Sequence, residues 1–208
     1  MVTVSITPYA PRKLLLFLAA LVTLVAASCF AGSSFLAVNN TPYDRQMSRI
    51  RPVLCSSIHG PKQEISLTLV NHWIGNLRAI PYDFSAEWKT PAEVESGATA
   101  DCKGKAVALY DLMHARGADD VRLVIGRRTW ISRKTHAWLE WTTAAGTYVL
   151  DPTINWSALR AEHLGHSSYI PLYAYAGDRK YRAATGTSFA QNSWGAHRLA
   201  VASAPAAR

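Results

Sequence analysis

Apolar residues open this chain as one block and then recur with changing period, and the changes predict the elements. Residues 14–27 form an uncharged run of Leu, Val, Ala, Phe and Thr. Residues 39–62 carry turn signals, Asn39-Asn40-Thr41-Pro42, Arg51-Pro52 and His59-Gly60-Pro61, with one short helix expected over 43–50. From 64 to 80, Ile65, Leu69, Trp73 and Leu77 recur at a spacing of four with Val70 and Ile74 beside them, which predicts an amphipathic helix ending before Pro81. A loop follows, then a short helix opening at Pro91 and broken at Gly97. Asp101 is the expected N-cap of the next helix, Ala106, Leu109, Leu112 and Met113 its buried stripe, and Gly117 its stop. Val121, Leu123 and Ile125 alternate with Arg122, Val124 and Gly126, the pattern of a strand packed on that helix. Residues 127–134 read as a basic loop, 135–142 and 147–151 as two strands joined by the Ala144-Ala145-Gly146 turn, and 169–175 as a further strand. The stretch 183–208, rich in Ala, Ser and Gly, is a weakly determined tail. There is no internal repeat.

The 208 residues suffice for one domain with a real core, and 49% apolar content excludes a disordered chain. Arg12-Lys13 ahead of the first apolar run make the N-terminus a targeting segment. Three readings of it stand open: a signal peptide cleaved near Ala26 to Ser28 or at Ala31, an uncleaved anchor over 14–38, and a lipoprotein site at Val25-Ala26-Ala27-Ser28-Cys29. Each places the remainder outside the cytoplasm, periplasmic or secreted, with any membrane contact made through this segment. The division expected is 1–38 signal peptide or N-terminal anchor, 39–182 folded domain, 183–208 tail. Net charge is +8, compatible with an anionic substrate or a cell-envelope polymer and equally with a solvated basic surface. No recognition helix, zinc-finger spacing or aromatic-basic repeat argues for nucleic acid. Of three cysteines, Cys55 and Cys102 remain after signal removal, and in an oxidising compartment a disulfide between them is a rival to any catalytic role.

The candidate chemistry lies in Cys102, His136 and Asp151. Cys102 opens a helix, where unpaired backbone N–H groups and the helix dipole favour a negative sulfur, and Lys103 and Lys105 add positive potential. With the hairpin turn centred on Ala144-Ala145, Trp138 falls opposite Asp151. His136 and Asp151 are then diagonal neighbours, about 7–8 Å apart at the backbone and within side-chain reach. A carboxylate there holds one ring nitrogen of His136 and leaves the other for sulfur, and a one-residue slip in register would undo this. Asp151 has a competing role as cap of the turn at Pro152, and Glu140 shares the His136 face farther along the strand. The Cys102 N–H is one oxyanion donor, and the Trp88 indole, otherwise a core residue, is the candidate for a second. The His, Cys and acidic residues show no metal-ligand spacing, and no cofactor is expected.

The ordered set Val70-Asn71-His72-Trp73, Ile80-Pro81-Tyr82-Asp83, Trp88-Lys89-Thr90-Pro91-Ala92-Glu93, Asp101-Cys102, Thr135-His136-Ala137-Trp138-Leu139 and Val149-Leu150-Asp151 resembles the transglutaminase-like superfamily over residues 64–157. The closer likeness is to its bacterial transglutaminase-like cysteine peptidases. The resemblance implies an α+β fold for the 39–182 domain, a papain-like core in which the helix bearing the catalytic Cys packs on an antiparallel β-sheet. It carries the nucleophile onto Cys102, the base onto His136 and the orienting carboxylate onto Asp151. It thus implies a cysteine peptidase or amidase acting on protein or peptide. Transglutaminase-type cross-linking and a non-catalytic peptide or cell-wall binding module of the same fold are the alternatives. The branch commonly has acidic residues after the cysteine, and related members bind calcium there. Lys103-Gly104 depart from that pattern and predict no calcium dependence at this motif.

Overall fold

The Asp101 carboxylate accepts the Gly104 N–H at 3.0 Å, and this cap starts the helix around which the domain is built. A computed structural model describes residues 34–56, 64–165 and 167–184; the apolar run at 14–27, read above as part of a targeting segment, and the tail beyond 184 lie outside them. In chain order the elements are β1 (Phe35–Val38), α1 (Asp44–Met47), α2 (Arg51–Leu54), α3 (Leu67–Ala79), α4 (Pro91–Ser96), α5 (Cys102–Ala115), β2 (Val121–Thr129), β3 (His136–Thr143), β4 (Gly146–Leu150), β5 (Leu159–Arg160), β6 (Ser168–Ala176) and β7 (Arg179–Ala183). The strands form one seven-stranded sheet in the order β1-β7-β6-β2-β3-β4-β5, each neighbour antiparallel. The architecture is α+β, as expected. No helix among the described residues is long and apolar enough to cross a membrane.

Alternation along the strands separates two apolar layers. Val121, Leu123 and Ile125 of β2, Ala137, Leu139 and Trp141 of β3, and Tyr148 and Leu150 of β4 join the helices in the main core. Val124, Trp138, Val149, Tyr169 and Ala174 form a smaller cluster on the far face. Helix α5 is enveloped by the sheet, α3 and α4, and Ala106, Val107, Leu109, Tyr110 and Met113 are fully buried on it. Each large apolar side chain so buried contributes about 1.5–3 kcal/mol. Leu112, expected in the buried stripe, instead lies at the rim of a surface cavity it shares with Leu77 and Val94. Thr90 and Glu93 form a capping box that starts α4 at Pro91.

Elsewhere tertiary pairing extends the local reading. Of the expected short helix over 43–50 a single turn forms, α1, and a second turn not expected from the sequence, α2, follows beyond it. Strand β2 runs on through Arg127 and Arg128, so the basic loop begins later than its composition suggests. Phe35–Val38, grouped by hydropathy with the N-terminal apolar run, pairs with Arg179–Ala183 at the sheet edge.

Gly126 lies where the pairing of β2 with β6 shifts register, directly opposite His136. A Cβ there would sit 2.2 Å from the Ile170 carbonyl oxygen and 2.5 Å from the Trp138 ring. Gly126→Ala is therefore expected to destabilise the domain by about 3 kcal/mol, because backbone must move to admit the methyl group. Urea unfolding measures this; a loss below about 0.5 kcal/mol would mean the strands yield freely.

Candidate active site

The hairpin has the register deduced from its turn. Thr143 pairs with Gly146, Glu140 with Val149 and Leu139 with Leu150, so Asp151 follows directly at the end of β4, level with Trp138. His136 is the first residue of β3. At that strand end its ring stacks beside Trp138 of the far cluster, centroids 6.2 Å apart, and lines the same cleft as Cys102. Its Nε2–H donates to Asp151 Oδ2 at 2.8 Å, so Nδ1 is the nitrogen left for sulfur. The fold thus gathers the three residues singled out in the sequence.

Asp151 is fully buried and holds four donors. Oδ1 accepts the backbone N–H groups of Thr153 (2.9 Å) and Ile154 (3.3 Å); Oδ2 accepts His136 and the Tyr169 hydroxyl (2.9 Å). Turn-capping and imidazole-holding, rivals in the sequence, are thus divided between its two oxygens. Burial opposes charge on Asp151, but the bond to His136, its charge, and the Thr153 and Tyr169 donors outweigh burial and lower its pKa. Burial likewise pulls His136 down, yet hydrogen bonds to Asp151 and Cys102 and the charges of both raise it to about 9.

Tyr169 was not foreseen. It enters from β6 with φ 52°, its hydroxyl also accepts from Asn155 Nδ2 at 2.8 Å, and the Arg128 guanidinium lies 5.0 Å over its ring. Burial and the Asp151 charge raise its pKa strongly, so it stays a neutral donor. Glu140 lies farther along β3, paired opposite Arg122. Among the other described histidines, His72 bonds Asn76, His114 stacks on Tyr110 and His163 is exposed.

Cys102 opens into a cleft of about 840 Å³ between the loop carrying Tyr82, Phe84 and Trp88 and the segment Ser132–Ala137. Trp88 is buried, and its indole N–H has no hydrogen-bond partner. The Trp138 N–H is also unpartnered but lies in the far-face cluster; Trp88 alone of the two lines the cleft. Lys103 points into the cleft wall, its ammonium bound to Asp101 and to the Ser85 carbonyl (2.8 Å) and lying over the Phe84 ring. Lys105, expected beside the thiol, does not line the cleft. It is buried, with Nζ on the Ile80 (2.5 Å) and Arg78 (3.3 Å) carbonyls at the end of α3, where it satisfies acceptors the helix leaves open. Burial and the Arg78 charge lower its pKa.

Cys55 and Cys102 are both free thiols and line different cavities. Among the described residues no group of three or more His, Cys, Asp and Glu side chains is arranged to hold a metal ion. Lys103 and Gly104 follow the cysteine, and the Asp101 carboxylate before it is already engaged by Lys103 and by the Gly104 and Ser85 N–H groups, a set that does not suit calcium.

No family model matches the chain. No curated protein matches its sequence. Among solved structures it is similar to Legionella pneumophila LapG (EGTA-treated), with TM-score 0.50 and 16% identity over 70% of this chain and 81% of that one. Two further LapG structures, one calcium-bound, match at TM-score 0.49 and 16% identity, covering 76% and 72% of this chain and 87% of each of theirs. At such identity the likeness shows the fold alone: the chain has an α+β fold similar to that of LapG, a bacterial transglutaminase-like cysteine protease, and the α+β class is the one anticipated from its sequence.

Proposed function

We propose that this chain is a thiol-dependent acyl-transfer enzyme of the transglutaminase-like superfamily, acting as a cysteine peptidase or amidase outside the cytoplasm. The observation that carries the reading is the His136 ring, bonded through Nε2 to a buried carboxylate and lining one cleft with Cys102. His136, charged below about pH 9, faces the Cys102 sulfur with its proton as that sulfur attacks the amide carbonyl carbon. The new S–C bond moves the carbonyl π electrons onto oxygen. The Cys102 N–H at the helix start and the Trp88 indole N–H serve that oxyanion. As the C–N bond breaks, His136 gives its proton to the departing amine, leaving a thioester. Water then gives a proton to His136 and adds to the thioester, and breaking the C–S bond releases the acid and frees the sulfur. Asp151 keeps the ring oriented and stabilises its charged form. Hydrolysis is favoured over cross-linking because water is abundant and, among the described residues, no acidic group lines the cleft to receive an amine. Export rests on Arg12-Lys13 and the apolar run at 14–27.

Alkylation tests this directly, with Cys55 as an internal reference. At pH 6, where an ordinary thiol reacts slowly, Cys102 is expected to take iodoacetamide about 10-fold faster than the exposed Cys55, followed by peptide mass spectrometry. A Cys102 rate no higher than that of Cys55 would remove the nucleophile. Trp88→Phe keeps the ring and deletes the donor; it is expected to lower kcat about 100-fold with little change in KM. Equal loss in kcat and binding would return Trp88 to a packing role.

A further inference from the structure

Among the described residues, the basic and acidic side chains that line the cleft are all basic. Lys103, Arg128, Arg133 and Lys134 line it together with Cys102 and His136, and no aspartate or glutamate does. Lys103 is neutralised by Asp101. The others are not: among the described residues neither Arg128, Arg133 nor Lys134 makes an ion pair, and the buried Nε of Arg128 has no hydrogen-bond partner. On the opposite wall, Glu87 is tied to Arg49 and neither it nor Asp83 lines the cleft. Exposed aromatic surface at Tyr82 and Phe84 flanks the same opening.

Resting on the acyl-transfer reading above, we propose that the acyl donor is an acidic polypeptide, with carboxylate side chains close to the amide that Cys102 attacks. A half-buried guanidinium without a carboxylate partner is costly to hold empty and gains two-pronged hydrogen bonds when a carboxylate arrives. Arg133 and Lys134, exposed at the rim, draw such a chain in through a field that salt weakens. Apolar neighbours of the acidic residues rest on Tyr82 and Phe84. The nucleophile selects a polypeptide over other polyanions, since a sulfur attack needs an acyl carbon and a nucleic acid has none.

Three peptidyl chloromethyl ketones of equal length, carrying Asp, Asn or Lys at the two positions beside the reactive carbon, test this on the full chain. Sulfur displaces chloride from each, so the rates compare recognition alone. The Asp reagent is expected to inactivate at least about 10-fold faster than the Asn reagent at low ionic strength, with Lys slowest and the spread shrinking in 0.5 M salt. R133Q/K134Q, at two exposed positions, is expected to reduce the Asp preference about threefold, with an unchanged Tm showing that the fold is intact. Equal rates for Asp and Asn, with iodoacetamide still favouring Cys102, would overturn the acidic-substrate inference and leave the nucleophile standing. If no reagent favours Cys102, the nucleophile reading falls, and binding of the same three peptides as amides decides the charge preference: Asp bound most tightly supports it, equal affinities overturn it.

Discussion

Cys102→Ala is expected to lower kcat/KM for amide hydrolysis by at least about 10³-fold, since nothing else in the cleft can form the acyl intermediate. Tyr43, Tyr82, Ser132 and Thr135 carry the hydroxyls that line it, the Ser132 hydroxyl being bound to that of Thr129, and an unactivated hydroxyl is a poor nucleophile near neutral pH. The fold is expected to survive. Cys102 is the first residue of α5, alanine is the best helix former, and the Asp101 cap does not involve the sulfur. Progress curves on a peptide substrate, paired with thermal unfolding, separate the two effects. Turnover within tenfold of the unsubstituted protein would sink the mechanism, whereas loss of both fold and turnover would leave Cys102→Ser to decide, with sulfur exchanged for oxygen at nearly equal volume.

The second large effect concerns Asp151 and pH. His136 binds its proton more tightly folded than unfolded, its pKa rising from 6.5 to about 9. That stabilisation is fully present below pH 6.5 and is lost as pH rises through 9, about 3 kcal/mol in all. Activity is expected to fall over the same alkaline limb, because a neutral His136 has no proton for the leaving amine. Asp151→Asn keeps the volume and removes the charge. One oxygen of the amide can still accept, but its NH₂ then faces donors, either the Thr153 and Ile154 N–H groups or the His136 and Tyr169 pair. The expected results are a stability loss of about 3 kcal/mol near pH 7, a fall in kcat of about 10³-fold, and an alkaline limb displaced toward 6.5. Stability and kcat/KM profiles from pH 5 to 10 measure all three. An alkaline limb that stays near 9 in the variant would remove Asp151 as the source of the raised His136 pKa.

Much of the site was legible in sequence because it rests on short-range rules. A two-residue turn at Ala144-Ala145 dictates which residues of β3 and β4 face each other, and Asp151 follows from that register without knowledge of the rest of the sheet. Asp101 before an apolar-periodic run marks the helix start and so places Cys102 at its first turn. Each of these depends on neighbours within a few residues or across one tight turn.

The contacts that no local rule reaches were decided by tertiary structure. Tyr169 donates to Asp151 from across the sheet, yet its sequence surroundings mark only a strand. Lys105 has the same composition-level signature as Lys103, two residues before it, but its Nζ is bound at the end of α3 while Lys103 binds Asp101 beside the cleft. Phe35–Val38 reads as apolar run until Arg179–Ala183 offers it an edge to pair with. Periodicity, caps and turns by themselves determined where the helix and hairpin lie and hence the order in which sulfur, imidazole and carboxylate appear. Only closing the long loops between them decided which buried polar atoms find partners, because hydrogen bonds between distant segments are specified by three-dimensional approach and not by spacing along the chain.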